Sequence, residues 1–374
     1  MSLIGLGKID RNLIPILIGC VICFLSRLLF QYDETKLFKH QILTDLLIAA
    51  SKLLTIIPHI IIKKQIITVN KDDVYNQDDK KTDLIYNETN DATIFMEGKY
   101  TYIIISSVLY FVQSIILLFT INIRSNAWII DILFTLVFYY LFFKIKLYLH
   151  HYLSIILIIL TGITLDLIME NLQSDIHNHF LLLLLRLLRD IIYSIYEVIN
   201  KYLMEKKFSS VYEIAFFNGL IALVLLVIFS VFDYYFFKMD NFREYFNNFN
   251  YIELLIILGT IITQLGLTIC ALFTSKNNTP CHIFIIYVFG NFAYYLNFSK
   301  NSIIKIICLL FIFFLSLIFN EIIEINCFGL SKNTKKNIIN RAKAEEIYGD
   351  EKSETDDEED IGGEMINKCD MSLN

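Results

Sequence analysis

The sequence predicts an all-α integral membrane protein with ten transmembrane helices and both termini in the cytoplasm. Three observations carry that expectation. The 374 residues are 56% hydrophobic and only 19% charged, whereas soluble domains average about 45–50% and about 25%. Ten apolar runs come close to the length that a hydrocarbon core of about 30 Å demands of a helix, about 20 residues. Lys and Arg concentrate on alternate links between the runs, as cytoplasmic loops do. Mean hydropathy is +0.56. Because the chain is rich in Ile, Asn, Lys, Tyr and Phe, run length decides the class rather than the average.

In order, the runs are 12–31, 43–62, 101–121, 127–143, 147–168, 179–203, 211–237, 251–274, 281–298 and 303–323. They are continuous rather than alternating, which disfavours barrel strands. The first is too long for a signal-peptide core, contains Arg27 and lacks a small-residue cleavage site. Arg27 ends that run, where snorkelling to headgroups is an alternative to a place in the interior.

A charge at bilayer depth usually turns to the bundle interior or a wet cavity, so polar residues inside the runs mark candidate sites. The second run spaces Asp45, Lys52 and His59 by heptads, placing them on one stripe beside Thr55. Pro58 frees a backbone carbonyl and bends that helix, which suits a gate at Pro58 and His59. Lys52 lies near mid-run, as a cavity cation or paired with Asp190 or Glu213. The third run offers Ser106, Ser107, Gln113 and Ser114. The fifth opens on His150 and His151, without a third ligand at metal spacing, and holds Asp166.

The sixth run is densest. Arg186, Arg189, Asp190, Tyr193, Ser194, Glu197 and Lys201 share an arc of about 140°. Arg186–Asp190 and Glu197–Lys201 are opposite charges at i,i+4. That face lines a cavity or packs as an ion-pair ladder. The later runs add Glu213 and Asn218, then Thr263, Gln264 and Thr268, then Tyr287, Asn291, Tyr294 and Tyr295. Ser, Thr and Asn also serve simply as helix–helix glue.

The links set orientation. With a cytoplasmic N-terminus, eighteen Lys and Arg fall inside; Lys36, Lys39, Arg124, Lys238, Arg243 and Lys300 fall outside. Only an even number of crossings keeps that bias. The polar link 64–100 is then cytoplasmic and its sequon at Asn87 bare; the sequon at Asn297 lies against the membrane. From Lys332 onward seven basic and twelve acidic residues give the tail −5 of the net −6. Its basic start suits anionic headgroups and its acidic end suits disorder, with Ser353 and Thr355 as phosphorylation candidates. No basic domain exists to neutralise phosphates, so nucleic-acid partners are excluded.

Soluble-enzyme chemistry is missing from the pattern. There is no Walker A loop, no HExxH and no GxSxG, so neither a cofactor nor a metal is expected. Seven Cys, mostly within apolar runs, form no disulfide framework. The Cys20–Cys23 pair reads as packing.

Three stretches carry a family resemblance. KIKLYLHHYLSIILIILTGITL (144–165) resembles a fourth-helix end, basic turn and fifth helix with a late glycine. IIYSIYEVINKYLMEKKFSSVYEIAFFNGLIALVL (191–225) resembles a sixth helix, basic link and seventh helix, with Gly219 after Asn218. NNTPCHIFIIYVFGN (277–291) resembles the start of a ninth helix, with Thr279 as cap and Pro280 in the first turn. Together they resemble the drug/metabolite transporter superfamily, which includes nucleotide-sugar, triose-phosphate and chloroquine-resistance-type carriers.

The resemblance implies a 5+5 inverted repeat around a central site, with alternating access by rocking of the halves. Residues 1–11 would precede a first five-helix repeat at 12–168. A second repeat would follow at 179–323 and a basic-then-acidic cytoplasmic tail at 324–374. The ninth run lacks the Lys or Arg that phosphate-sugar carriers use there, and no late Gly-Ala-Leu-Asn-Lys run is present.

The expected function is secondary transport of a small polar or anionic organic solute across an internal membrane: Golgi, endoplasmic reticulum or vacuole. Lys52, Arg186 and Arg189 are the candidates for its anionic part. Tyr193 and Tyr287 would stack a ring, and Gln264 and Asn291 would complete the substrate site. Asp190, Glu197 and Glu213 are candidate coupling or counter-charge groups. The expected partners are that solute and membrane lipid; homodimerisation is left open. Two alternatives remain: an exporter of cationic solutes or weak bases, and a non-transporting scaffold acting through its loop and tail.

Overall fold

The computed structural model describes residues 4–6, 11–32, 40–61, 98–120, 131–144, 148–169, 176–237, 251–295 and 302–325. Most of the 64–100 link, both sequons and the tail beyond 325 lie outside the described residues. The protein is all-helical among those described, apart from two three-residue strands. These are β1 (Ile4–Leu6) and β2 (Ile323–Ile325), which pair with each other. Leu6–Ile323, which holds every helix among the described residues, forms one unit, and the segments before and after it belong to another.

Each apolar run contains one principal helix, and in the second run residues 56–61 are helical again beyond a break at 54–55. The principal helices are α1 (Ile14–Tyr32), α2 (Gln41–Leu53), α3 (Lys99–Thr120), α4 (Asp131–Phe143) and α5 (Leu149–Met169). The second five are α6 (Ile176–Lys206), α7 (Val211–Phe232), α8 (Tyr251–Asn277), α9 (Ile283–Asn291) and α10 (Ser302–Phe319). Four helical stretches are long and apolar enough to cross a membrane: Gln41–Ile61, Lys99–Thr120, Val211–Phe236 and Tyr251–Asn277. The other apolar helices are shorter, and α6 carries too many charges to be called apolar.

Local chemistry sets the ends. Ser210 caps α7, its hydroxyl accepting from Glu213 N–H at 3.0 Å. Before it, Phe208 stands at φ 50, left-handed, and Ser209 N–H closes on the Leu203 carbonyl at 3.0 Å. The end of α10 is similar: Glu321 is left-handed at φ 58 and Ile322 N–H reaches the Leu317 carbonyl at 2.9 Å. Pro280 opens the turn into α9, with Thr279 before it as the residue in extended conformation. The α2 run breaks at Leu54 and Thr55, and the Thr55 hydroxyl donates to the carbonyls of Lys52 and Tyr212 at 2.6 and 3.1 Å.

Packing follows a regular scheme. The pairs are α3 on α6 and α1 on α8; α4 on α6 and α1 on α9; α3 on α7 and α2 on α8. Two further pairs are α2 on α7 and α5 on α10. Ile103, Leu203, Ile214 and Leu272 fill the space between α3, α6, α7 and α8. Ile16, Cys20, Cys23 and Ile286 knit α1 to α9. The outer faces carry exposed Leu17 and Val21, Ile156 and Leu160, Val227 and Val231, Leu255 and Ile262, and Ile307 and Leu310. So much large apolar surface on helices of this length fits a lipid surrounding.

Among the described glycines, the closest approach of a neighbouring backbone is at Gly219, where α2 crosses α7. A Cβ added at Gly219 would lie 2.6 Å from Lys52 Cβ and 2.8 Å from the Ala49 carbonyl oxygen. The second of these is backbone and cannot turn aside, so only glycine lets the helices approach this closely. Gly219→Ala is expected to lose about 1–3 kcal/mol through overpacking. Gly259→Ala meets only the flexible Leu29 side chain, at 3.3 Å, and should change stability little. Thermal unfolding of the purified protein in detergent compares them; equal midpoints would refute the close approach.

Candidate functional site

The polar face of α6 meets α2, α3, α4 and α9 in three successive layers. The first layer centres on Asp190, which is 0% exposed. Arg189 Nη2 lies 3.1 Å from its Oδ1, nearer than Arg186 Nε at 3.9 Å. The expected i,i+4 pair is therefore the weaker of two. Asp131, at the start of α4, interacts electrostatically with Asp190, Arg189 and Arg186. Ser194 holds the layer together, donating to the Asp190 carbonyl at 2.9 Å and receiving the Thr135 hydroxyl at 3.1 Å. Even so, Asp131 Oδ1, both Asp190 oxygens and Arg186 Nε are buried without a hydrogen bond among the described residues.

The middle layer holds Lys52. It is 3% exposed and its Nζ sits 3.3 Å above the centroid of the Tyr110 ring, a cation–π contact. Its ammonium makes no hydrogen bond or ion pair among the described residues. Glu197 and Asp45 are the opposite charges that act on it. Glu197 Oε2 is likewise buried without a hydrogen bond. Four tyrosines surround the pair. Tyr110 packs on Tyr196 at 5.7 Å and Tyr196 on Tyr193 at 6.0 Å; the Tyr193 and Tyr287 hydroxyls meet at 2.9 Å.

The third layer is a buried polar knot, in which Asn200 Nδ2 lacks a hydrogen bond among the described residues. The Ser106 hydroxyl donates to Asn200 Oδ1 at 2.6 Å, and Ser107 to Asn218 Oδ1 at 2.8 Å. Next to them Lys201 does not pair with Glu197, contrary to the i,i+4 expectation. Its Nζ reaches Glu205 at 2.6 Å and the carbonyls of Asn278 and Lys276 at 2.7 and 3.0 Å. It ties α6 to the end of α8, where carbonyls lack intrahelical partners.

Other candidates sit apart from this core. Gln264 donates to the Ser26 hydroxyl at 2.9 Å, bridging α8 to α1. Glu213 pairs with Lys99 at 2.8 Å at the ends of α7 and α3. His59 Nδ1 lies 3.3 Å from the Ser210 hydroxyl, so Pro58 and His59 mark where α2 meets the start of α7. Asn291 is buried one turn beyond Tyr287 on α9. Asp166, Tyr294 and Tyr295 have no described side chains.

The His150–His151 pair does acquire a third group, a correction to the sequence reading. Ligand atoms of His150, His151 and Glu321 lie within 4.8 Å of one another. His150 Nε2 is 3.1 Å, and His151 Nε2 3.8 Å, from Glu321 Oε1. Tyr148 N–H donates to His151 Nδ1 at 3.2 Å, which leaves the ring proton on Nε2, facing the carboxylate. His150 thus hydrogen-bonds Glu321 and clasps α5 to the end of α10, with His151 beside them. A metal ion would have to displace that proton.

Sequence reasoning missed Tyr110, Asp131 and Glu321. Tyr110 shares a stripe with Ser106, Ser107 and Ser114 at helical spacing, a signal that was present. Asp131 and Glu321 acquire their roles only from partners on other helices.

No protein-family model matches the chain, and no curated protein matches it.

Lys201→Ala would strand two carbonyls and Glu205 and is expected to cost about 3–5 kcal/mol. Glu205→Ala, with a side chain 39% exposed, should cost under about 1 kcal/mol. Thermal melts in detergent decide; similar losses would mean that the carbonyl contacts contribute nothing.

Proposed function

We propose that the protein is a secondary carrier that moves a small polar or anionic organic solute by alternating access across an internal membrane. In this reading it is a ten-span, 5+5 inverted repeat of the drug/metabolite transporter type, with both termini cytoplasmic. The packing scheme supports the repeat. Adding five to each helix number turns α3 on α6 into α8 on α1, α4 on α6 into α9 on α1, and α3 on α7 into α8 on α2. The pairs α2 on α7 and α5 on α10 turn into themselves, as pairs astride a two-fold axis must. Pairing of β1 with β2 favours an even number of crossings.

One observation carries the transport reading. Lys52, on the self-related α2–α7 pair, buries an ammonium that no side chain of the described protein hydrogen-bonds. Burying an ion that is only partly compensated is costly, and intramembrane ions of this kind mark solute pathways. Arg186 and Arg189 extend the cationic surface one layer further along α6, beside carboxylates suited to counter-charge or coupling.

A second reading has an observation of its own. The free oxygen of Glu197, framed by tyrosine rings, is chemistry that recognises a cation, as a weak-base exporter requires. The scaffold reading rests on segments outside the described residues, and full function after deletion of 345–374 would count against it.

Uptake of a mixed metabolite pool into proteoliposomes tests the proposal. Lys52→Ala and Arg186→Ala should each lower uptake about tenfold or more, the worth of one charge-assisted hydrogen bond. Normal uptake by both variants would refute the site. Lys52→Glu separates the readings, since it abolishes entry of anions but spares that of cations. Tags at the two termini should be labelled from the same side.

A further inference from the structure

We infer that the central site takes a small zwitterion, whose anionic group meets Lys52 and whose ammonium meets Glu197. The inference rests on the carrier reading above and names the solute class for the same site.

Elsewhere in the protein, opposite charges close onto each other. Lys99 meets Glu213 at 2.8 Å and Lys201 meets Glu205 at 2.6 Å. Lys52 and Glu197 interact electrostatically but form no ion pair. They stand on different helices, Lys52 on α2 beside the close approach at Gly219 and Glu197 on the polar face of α6. Each keeps unused capacity. An ammonium has three donors, and that of Lys52 faces only the π surface of Tyr110. Glu197 keeps one buried oxygen without a donor.

Charge signs then choose between solutes. A plain anion would satisfy Lys52 but bring its charge against Glu197; a plain cation would satisfy Glu197 but meet Lys52. A zwitterion completes both at once. The wider lining agrees. Lys52 acts with two carboxylates, Glu197 and Asp45, while Arg27, Arg186 and Arg189 act with two others, Asp131 and Asp190, so both signs of charge face this region. A solute that itself carries both signs meets each kind of group with its opposite. The rings of Tyr193 and Tyr287, hydroxyls 2.9 Å apart, provide a surface for the ammonium and the carbon skeleton beside it.

The test uses the full chain in proteoliposomes, with a radiolabelled mixture of the twenty common L-amino acids as probe. Competitors are the free amino acids, their methyl esters (cation only) and their N-acetyl derivatives (anion only). Free amino acids should compete about tenfold or more better than either derivative. Lys52→Gln should erase the preference over methyl esters alone, and Glu197→Gln the preference over N-acetyl derivatives alone. These are ratios within one preparation, so a lower yield of folded variant does not alter them. If one derivative competes as well as the free amino acids in the unaltered protein, the zwitterion assignment falls and the carrier stands. The same holds if the metabolite pool enters and the amino acids do not. If neither enters, the carrier reading falls and takes this inference with it.

Discussion

Burying Lys52 is the constraint around which the middle of the molecule is arranged. An ammonium away from water is costly unless something nearby compensates it. Here the compensation is partial: the face of Tyr110, and the opposite charges of Glu197 and Asp45 at longer range. Gly219 removes the side chain that would otherwise push α2 away from α7. The tyrosines that frame the site come from α3, α6 and α9. Four helices thus depend on where one side chain sits.

Near the ends, ionised groups find close partners: Lys99 with Glu213, Lys201 with Glu205 and two carbonyls, and His150 with Glu321. These contacts fasten α3 to α7, α6 to α8 and α5 to α10, and each lies within reach of backbone groups that helix termini leave free. In the α6 core Asp190 also has a close partner, Arg189 at 3.1 Å. Buried polar atoms without a hydrogen bond occur there, at Asp131, Arg186 and Glu197, and also nearer the helix ends, at His150 Nδ1, Ser209, Thr274 and Ser275. Groups of that kind gain most when a polar solute or water arrives.

Neighbouring groups also explain why one i,i+4 pairing did not form and another is the weaker of two. Glu197 and Lys201 stand at i,i+4, but Lys201 reaches instead to Glu205, at 2.6 Å, and to two carbonyls at the end of α8. Arg186 and Asp190 have the same spacing, yet Arg189 reaches the carboxylate first. Helical spacing states which side chains share a face; which of them touch depends on what the neighbouring helix offers.

Periodicity and run length in the sequence alone determined the ten helices, their approximate ends, the stripe of Asp45, Lys52 and His59, and the polar face of α6. Those features are local: they depend on 3.6 residues per turn and on the length of apolar chain, both readable along one segment. Tertiary structure alone decided that Lys52 lies over Tyr110, that Asp131 joins Asp190, that Gln264 is spent on Ser26, and that Glu321 closes on the two histidines. Each of these joins residues on different helices. Spacing along a chain holds no information about such contacts, because the approach of two helices is set by the fit of whole faces.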